Sequence, residues 1–331
     1  MRCLVPSKVL SRKRVLGFLL GILLLATVLA QTPHGFTPPN ERERADAIGA
    51  INSLPKDLRQ AFAPSPDFSP IPIPGRSDWL ASHPEAGQTY AQYVRSRPNR
   101  PRGNQSKIYL QPIGQFNEEQ SPELSKLASF AARFFTLPVE ILPTVKVTEL
   151  GATTRNRGGG RRQLLSTDIL AWLEPRTRED AYCLLAVTME DLYPSNEWNF
   201  VFGQASLRNR VGVYSLARYH PSFYRSTDRP DDEKTKRLVL ERSCKVLAHE
   251  TGHMFGIKHC IHFHCLMNGS NHLAESDAQP IHLCPVCLRK LRYAVPFNVE
   301  DRYQELLEFS DEAKWENESL WLLDRLRAVT D

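Results

Sequence analysis

The feature that most constrains this chain is a histidine-rich motif in its last third. Residues 249–259 read H-E-T-G-H-M-F-G-I-K-H, which fits the pattern H-E-x-x-H-x-x-G-x-x-H. His249 and His253 are four residues apart, so on a helix their rings leave the same face and can converge on one ion. Gly256 can adopt a positive φ, which lets the chain leave the helix and bring His259 back towards that ion. The run therefore predicts a helix that leads into a three-histidine metal site.

The same motif indicates the chemistry of this site. Three imidazoles leave the fourth tetrahedral position of a zinc ion open for water, which distinguishes a catalytic zinc from a structural one. Glu250 is poorly placed as a further ligand, but it can act as general base and acid on a water that the zinc activates. We therefore predict a catalytic zinc with the ligands His249, His253 and His259, and Glu250 as the catalytic residue.

A second candidate metal site follows directly along the chain. Four of the 7 cysteines lie in one short stretch, as Cys260, Cys265, Cys284 and Cys287. Two closely spaced pairs joined by a loop are typical of a structural zinc site, in which protein supplies all four ligands. Two disulfides are the alternative, although the C-P-V-C turn disfavours them because it directs both sulfurs to one point. Cys183 and Cys244 lie in apolar patterns and are expected to be buried side chains.

The order of these motifs resembles a known family. H-E-x-x-H-x-x-G-x-x-H-C is followed by C-x-M, which ends at Met267, and then by C-x-x-C. This order resembles the archaemetzincins, a branch of the metzincin zinc peptidases, over about residues 108–303. Residues 198–205 and 269–273 are similar to a vertebrate type of the family. The resemblance implies a zinc metallopeptidase of peptide or protein substrates, with Met267 as the Met-turn residue beneath the histidines.

The apolar patterns favour an α/β (α+β) fold with a mixed twisted sheet, an active-site helix and a C-terminal subdomain stapled by the four-cysteine zinc site. Strands are predicted at 108–113, 139–150, 181–189, 199–205 and 212–218, and helices at 121–135, 166–173 and 236–258. The resemblance implies an antiparallel edge strand beside the cleft, for which residues 200–205 are the candidate. Its free edge could bind substrate as an added strand.

We divide the 331 residues into four predicted parts: a leader at 1–30, a proline-rich extension at 31–106, the peptidase domain at 107–297 and a helical segment at 298–331. The extension is expected to form an arm that is extended apart from one short helix within 45–62. The last segment is expected to pack two amphipathic helices on the domain. His262, His264, His272 and His282 are expected to be structural, although His272 could line the substrate cleft.

The leader bears on where the protein is located. Arg12-Lys13-Arg14 precedes the apolar run 15–30, in which Val28 and Ala30 suit the −3 and −1 positions of a cleavage site. This is the pattern of a secretory signal peptide. It suggests the secretory pathway, whereas the family resemblance suggests an intracellular protein. A membrane partner is expected only if residues 15–30 remain as an anchor.

Composition and motifs limit the remaining functions. The formal net charge is +5 and the basic residues are scattered, so nucleic-acid binding is not expected. We expect a monomer with two zinc ions, and the motif alone does not distinguish an endopeptidase from aminopeptidase-like action on small peptides. A zinc-stapled interaction module with weak or no peptidase activity is the alternative, which the intact Glu250 disfavours. A redox protein that uses Cys284 and Cys287 is a further alternative.

Overall fold

The structure is a computed structural model that describes residues 35–117, 119–157, 161–224 and 232–330. The predicted leader at 1–30 lies outside the described residues. Within the described ranges, no helix combines the length and the apolar character needed to cross a membrane.

Helices and strands are mixed along the described chain. The strands are β1 (Lys107–Ile113), β2 (Val139–Ile141), β3 (Thr154–Arg157), β4 (Arg161–Leu165), β5 (Ala181–Thr188), β6 (Asp191–Tyr193), β7 (Gly203–Ser206) and β8 (Val211–Ser215). The helices are α1 (Glu41–Ile48), α2 (Lys56–Phe62), α3 (Trp79–Ser82), α4 (Tyr90–Arg95), α5 (Leu124–Phe135), α6 (Ser166–Leu173), α7 (Glu233–Met254), α8 (Leu273–Ala278), α9 (Pro285–Ala294), α10 (Val299–Glu312) and α11 (Glu316–Thr330). This order confirms the predicted α/β class.

A five-stranded sheet in the order β2-β1-β5-β8-β7 forms the main layer. Its first four strands run parallel, whereas β7 is antiparallel to β8 and occupies the edge. β5 is buried along its whole length, as expected for an apolar strand covered on both faces. The predicted mixed sheet is confirmed, and the edge strand predicted at 200–205 is observed at Gly203–Ser206.

A smaller sheet in the order β3-β4-β6 was not predicted. The arginine-rich strands β3 and β4 form an antiparallel hairpin whose sequence has no apolar alternation to reveal it. The predicted strand 139–150 ends at Ile141 instead, because Pro143 lacks a backbone N–H for a sheet ladder. Val145 then forms only an isolated bridge to Ile113.

The described part of the N-terminal extension contains four short helices that pack on the core, so the predicted extended arm is wrong, whereas the short helix predicted within 45–62 is present as α2. Capping boxes at Asn40 and Thr89 begin α1 and α4 by satisfying their first backbone N–H groups. Ile48, Phe62 and Tyr93 are buried in the same hydrophobic core as α7 and α9. Each of these helices is too short to show a periodic apolar pattern. The many prolines were therefore the main signal in the sequence, and they indicated an extended chain. The domain boundaries at 106 and 297 stay predictions.

Helix α7 carries the histidine motif and packs against β8. It ends at Met254, four residues before the predicted end, and Gly256 follows with a φ of 78°. A Cβ on Gly212 of β8 would lie 2.5 Å from Cε of Met254, so the glycine permits close approach of the helix to the sheet. Cys244 and Leu247 are buried in this contact region, as the helical pattern predicts.

The C-terminal helix α11 is bound to the N-terminal extension by a buried arginine. Arg325 is 1% exposed and donates to Asp67 Oδ2 at 2.8 Å and to the carbonyl of Gln60 at 2.9 Å. Its guanidinium also lies 4.6 Å from the ring centre of Phe68. The N-terminal extension and α11 are therefore joined by the ion pair of Arg325 and Asp67. Because the guanidinium is buried, loss of the Asp67 carboxylate would leave its charge without a counter-ion.

We expect Asp67→Asn to lower the free energy of unfolding by about 2–3 kcal/mol, because Arg325 would lose its anionic partner while it stays buried. Denaturant unfolding at fixed zinc concentration measures this change. Asp324→Asn is the control, since its pair with Arg327 is exposed and is expected to contribute less than about 1 kcal/mol. Equal effects of the two substitutions would show that the Arg325 contact does not hold the chain ends together.

Candidate metal centre

Three histidine side chains meet at the end of α7. His249 and His253 lie on its last turns, and His259 returns after the reversal at Gly256. Nε2 of His249 and Nε2 of His253 are 3.0 Å apart, and ligand nitrogens of all three rings lie within 4.8 Å of one another. Two nitrogens bound to a tetrahedral zinc at about 2.0–2.1 Å are about 3.3 Å apart. The three imidazoles therefore fit a zinc ion.

The other ring nitrogen of each imidazole has a protein acceptor. Nδ1 pairs with the Leu266 carbonyl in His249 (3.0 Å), the Ile257 carbonyl in His253 (2.7 Å) and Glu85 Oε1 in His259 (2.8 Å). An Nδ1–H that donates in this way fixes the tautomer and leaves Nε2 as the lone-pair donor. Burial lowers the pKa of His249 and His253, the latter to about 4, so both rings are neutral as metal ligation requires.

Glu85 is a site residue that the sequence patterns missed. It lies between α3 and α4, and Oε1 accepts hydrogen bonds from both His259 Nδ1 and Trp79 Nε1, the latter at 2.9 Å. Burial raises the pKa of this carboxyl, but the hydrogen bonds from His259 and Trp79, together with the charges of His259 and His253, hold the pKa below its usual value. The Trp79 ring also meets His259 edge-on at 5.2 Å. The N-terminal extension thus supplies one side of the histidine centre.

Glu250 lies under the edge strand of the main sheet. Its side chain is buried, and burial raises the pKa of its carboxyl to about 8. A Cβ on Gly203 of β7 would lie 2.7 Å from Glu250 Oε1, so only a glycine lets the strand pass this close. A carboxyl group with a pKa near neutrality can both accept and return a proton.

Met267 packs against α7 between the two helical histidines. It is fully buried, and a Cβ on Gly252 would lie 2.7 Å from its sulfur. The backbone carbonyl of Met267 accepts a hydrogen bond from the Cys260 N–H at 2.7 Å. Met267 therefore closes the turn that begins after His259 and lies directly against the histidine-bearing helix.

The second donor set is a buried cluster of thiols. Sulfurs of Cys260, Cys265, Cys284 and Cys287 lie within 4.8 Å of one another. The Cys260 and Cys284 sulfurs are 3.6 Å apart, far beyond the length of a disulfide bond, and all four cysteines are free. Sulfurs at about 2.3 Å from a tetrahedral zinc are about 3.8 Å apart, so this cluster also fits zinc. Cys183 and Cys244 are buried elsewhere, as predicted.

His272 has a structural environment. Its Nδ1 accepts from the Glu275 N–H at the start of α8, and its Nε2 lies 3.1 Å from Asp78 Oδ1. Glu275 in turn accepts from the backbone N–H groups of Trp79 and Asn271. These groups already satisfy one another, so the cluster connects α3 to the segment after Met267. His282 is likewise paired with Glu318 and stacked on Trp321.

A cleft of about 560 Å³ runs past the three histidines. One wall comes from residues 197–203, which lead into the edge strand, and the other from Trp79 and the segment after Met267. The floor contains His249, Glu250 and His253. The cleft therefore has the volume of a typical ligand site and brings Gly203, at the start of β7, together with Glu250 and the histidines.

Comparisons with known proteins agree on one family. The family described as peptidase family M54 matches residues 177–293, which include both donor sets but not Glu85. Archaemetzincin-2 of Homo sapiens is 40% identical over 282 residues, covering 77% of this chain and 78% of that protein. The Mus musculus protein of the same name is 41% identical with the same coverage. The crystal structure of archaemetzincin from Archaeoglobus fulgidus, complexed with malonate, is 32% identical with a TM-score of 0.43, covering 56% of this chain and 99% of that one.

We expect Gly252→Ala to destabilise the protein, because its Cβ would overlap the Met267 sulfur. Overpacking of this kind costs about 1–3 kcal/mol and outweighs the gain of about 1 kcal/mol in helix propensity. Denaturant unfolding of the single variants and of Gly252→Ala combined with Met267→Ala provides a double-mutant cycle. The pair should be more stable than the sum of the single effects. Additive effects would contradict the close contact.

Proposed function

Because the chain belongs to the archaemetzincin family and is a zinc metallopeptidase, we propose that it cleaves peptide bonds at the three-histidine centre with Glu250 as general base and acid. The observation that carries this proposal is the buried Glu250 carboxyl, which lies beneath the glycine of an edge strand and on the helix of His249 and His253. The predicted family resemblance is confirmed by the relatives. Peptides or proteins are the substrates of such an enzyme.

We propose that His249, His253 and His259 hold the catalytic zinc through Nε2. A zinc ion there supplies Lewis acidity that activates water and polarises the scissile carbonyl. The acceptors at the three Nδ1 atoms support this assignment, since outer partners of this kind orient the ligands of metal sites. Glu85 is the charged member of this set, and its carboxylate holds His259 in the ligand tautomer.

Glu250 then performs the proton transfers of hydrolysis. Its carboxylate accepts a proton from the attacking water and returns this proton to the amine that leaves as the C–N bond breaks. A pKa raised to about 8 by burial suits the second transfer, because the protonated form is accessible near neutral pH. The cation at the histidines favours the ionised form, so the two states alternate during turnover.

The edge strand β7 is the proposed binding surface for the substrate backbone. It pairs only with β8 among the described strands, and Gly203 at its start lines the cleft together with residues 197–202. An extended peptide can add to such an edge with backbone hydrogen bonds, which give affinity without strong side-chain selection. Aminopeptidase-like action on small peptides and a monomeric state stay predictions.

The four cysteines are the proposed ligands of a second, structural zinc, which makes two zinc ions per chain. Cys260 follows His259 directly, so the two sites share one stretch of backbone. Asn268 supports this stretch, since its amide donates to the carbonyls of Cys260 and Phe263 and accepts from the Cys265 N–H. Loss of the thiolate site should therefore disturb His259.

We expect Glu250→Gln to lower kcat at least about 100-fold while it leaves two zinc ions bound, because the amide cannot carry the proton. Peptide cleavage and metal analysis of the purified protein measure both quantities. Glu233→Gln at the exposed start of α7 is the control and should keep activity. Full activity in Glu250→Gln would refute this role for Glu250.

We expect Cys284→Ser to reduce the zinc content from two ions to one and to lower the unfolding temperature, since structural zinc contributes directly to folding. Cys183→Ala, in buried β5, is the matched control that should keep both ions. Metal analysis and thermal unfolding measure the two effects. A zinc content unchanged by Cys284→Ser would argue against a second zinc at the cysteines.

A further inference from the structure

Lys245 is the only lysine or arginine among the described residues that line the active-site cleft. It lies on α7 one helical turn before His249, and residues four apart share a face of the helix. Its side chain is 7% exposed. A cation is thus buried in a cleft that it lines together with the uncharged Val246, Leu266 and Gln279 and with the acidic Glu197 and Glu250.

The ammonium group of Lys245 has one donor to spare. It carries three N–H donors, of which one meets Glu241 Oε1 at 2.9 Å and one the carbonyl of Asp277 at 3.3 Å. No third acceptor is present among the described residues. The Glu241 side chain is 36% exposed, so solvent screens its attraction. The ammonium can therefore turn an N–H towards an acceptor that enters the cleft, and an anionic acceptor forms the strongest hydrogen bond with it.

The neighbouring polar groups do not compete for this role. Arg242 is closed onto Asp277 by two hydrogen bonds of 2.8 and 2.6 Å. The side-chain amide of Gln279 donates to the carbonyls of Asn268 and Gly269. Among the described residues, Lys245 is therefore the cation that lines this part of the cleft, and its ion pair is with a Glu241 side chain that is 36% exposed.

We propose that Lys245 binds a carboxylate of the peptide substrate, which names a substrate class for the site and rests on the peptidase function proposed above. A helical turn advances about 5.4 Å and an extended chain about 3.3 Å per residue. The backbones of Lys245 and His249 are thus separated by about two residues of extended chain, so the carboxylate is sought within two positions of the scissile bond. It is either an acidic side chain or the C-terminus of a short peptide, and an anion strengthens the hydrogen bond.

Paired peptides test this assignment. One pair carries Glu or Gln at each position within two residues of the scissile bond, and a second pair ends in a free or an amidated C-terminus. The first pair reports an acidic side chain and the second a chain terminus. We expect kcat/KM to favour the carboxylate member of one pair by about 10-fold or more, the effect of one hydrogen bond to a charged group.

Variants show whether Lys245 causes the preference. Lys245→Met should bring the kcat/KM ratio to about one, and Glu241→Gln should raise it by freeing the ammonium. Lys236→Met is the matched control, since its pair with Glu233 is exposed on the same helix, and it should keep the wild-type ratio. A ratio of one in the wild type, or a ratio unchanged by both Lys245→Met and Glu241→Gln, overturns the proposal. If Lys245→Met lowers kcat/KM equally for all peptides and also lowers thermal stability, Lys245 has a purely structural role and the proposal is overturned too.

A binding measurement separates this proposal from the peptidase function. Glu250→Gln protein loaded with zinc is titrated with the same pairs by calorimetry. A preference for the carboxylate peptide that disappears when Lys245→Met is added supports the subsite even if no peptide is cleaved. Cleavage of both members with equal efficiency and equal affinity would leave the peptidase function standing and refute the subsite.

Discussion

The rest of this structure depends on how the backbone reverses direction between α7 and the cysteine cluster. His259 and Cys260 are consecutive, yet their side chains belong to different donor sets. The Cys260 N–H bonds to the carbonyl of Met267, and Asn268 holds the carbonyl of Cys260. One peptide unit therefore connects both donor sets, so neither set can shift without disturbing the other.

The N-terminal extension belongs to this arrangement in physical terms. Glu85 accepts from His259, and Trp79 donates to the same carboxylate oxygen. Asp78 and His272 bind this segment to the residues after Met267. The extension therefore holds His259 and the segment after Met267 in place through these contacts. Its helices also share the hydrophobic core with α7.

Local patterns in the sequence were sufficient for the histidine centre and the thiol cluster, because helix geometry and a positive φ at Gly256 set their spacing. The main sheet was predicted from its apolar strands, and the β3–β4 hairpin was missed for lack of such a pattern. Glu85 could not be found in this way, since its contact with His259 joins residues 174 positions apart. The same limit applies to Lys245, whose role depends on which acceptors surround it in space.

The contact between Gly203 and Glu250 makes position 203 relevant when activity is inferred from related sequences. The zinc motif consists of residues on one helix and the turn after it, whereas Gly203 lies on a separate strand. Any side chain at this position would occupy the space of the Glu250 carboxylate. A relative could therefore keep every histidine and the glutamate of the motif and still hold that glutamate out of position. Under the proposed role of Glu250, the residue on the edge strand bears on turnover as directly as the motif itself.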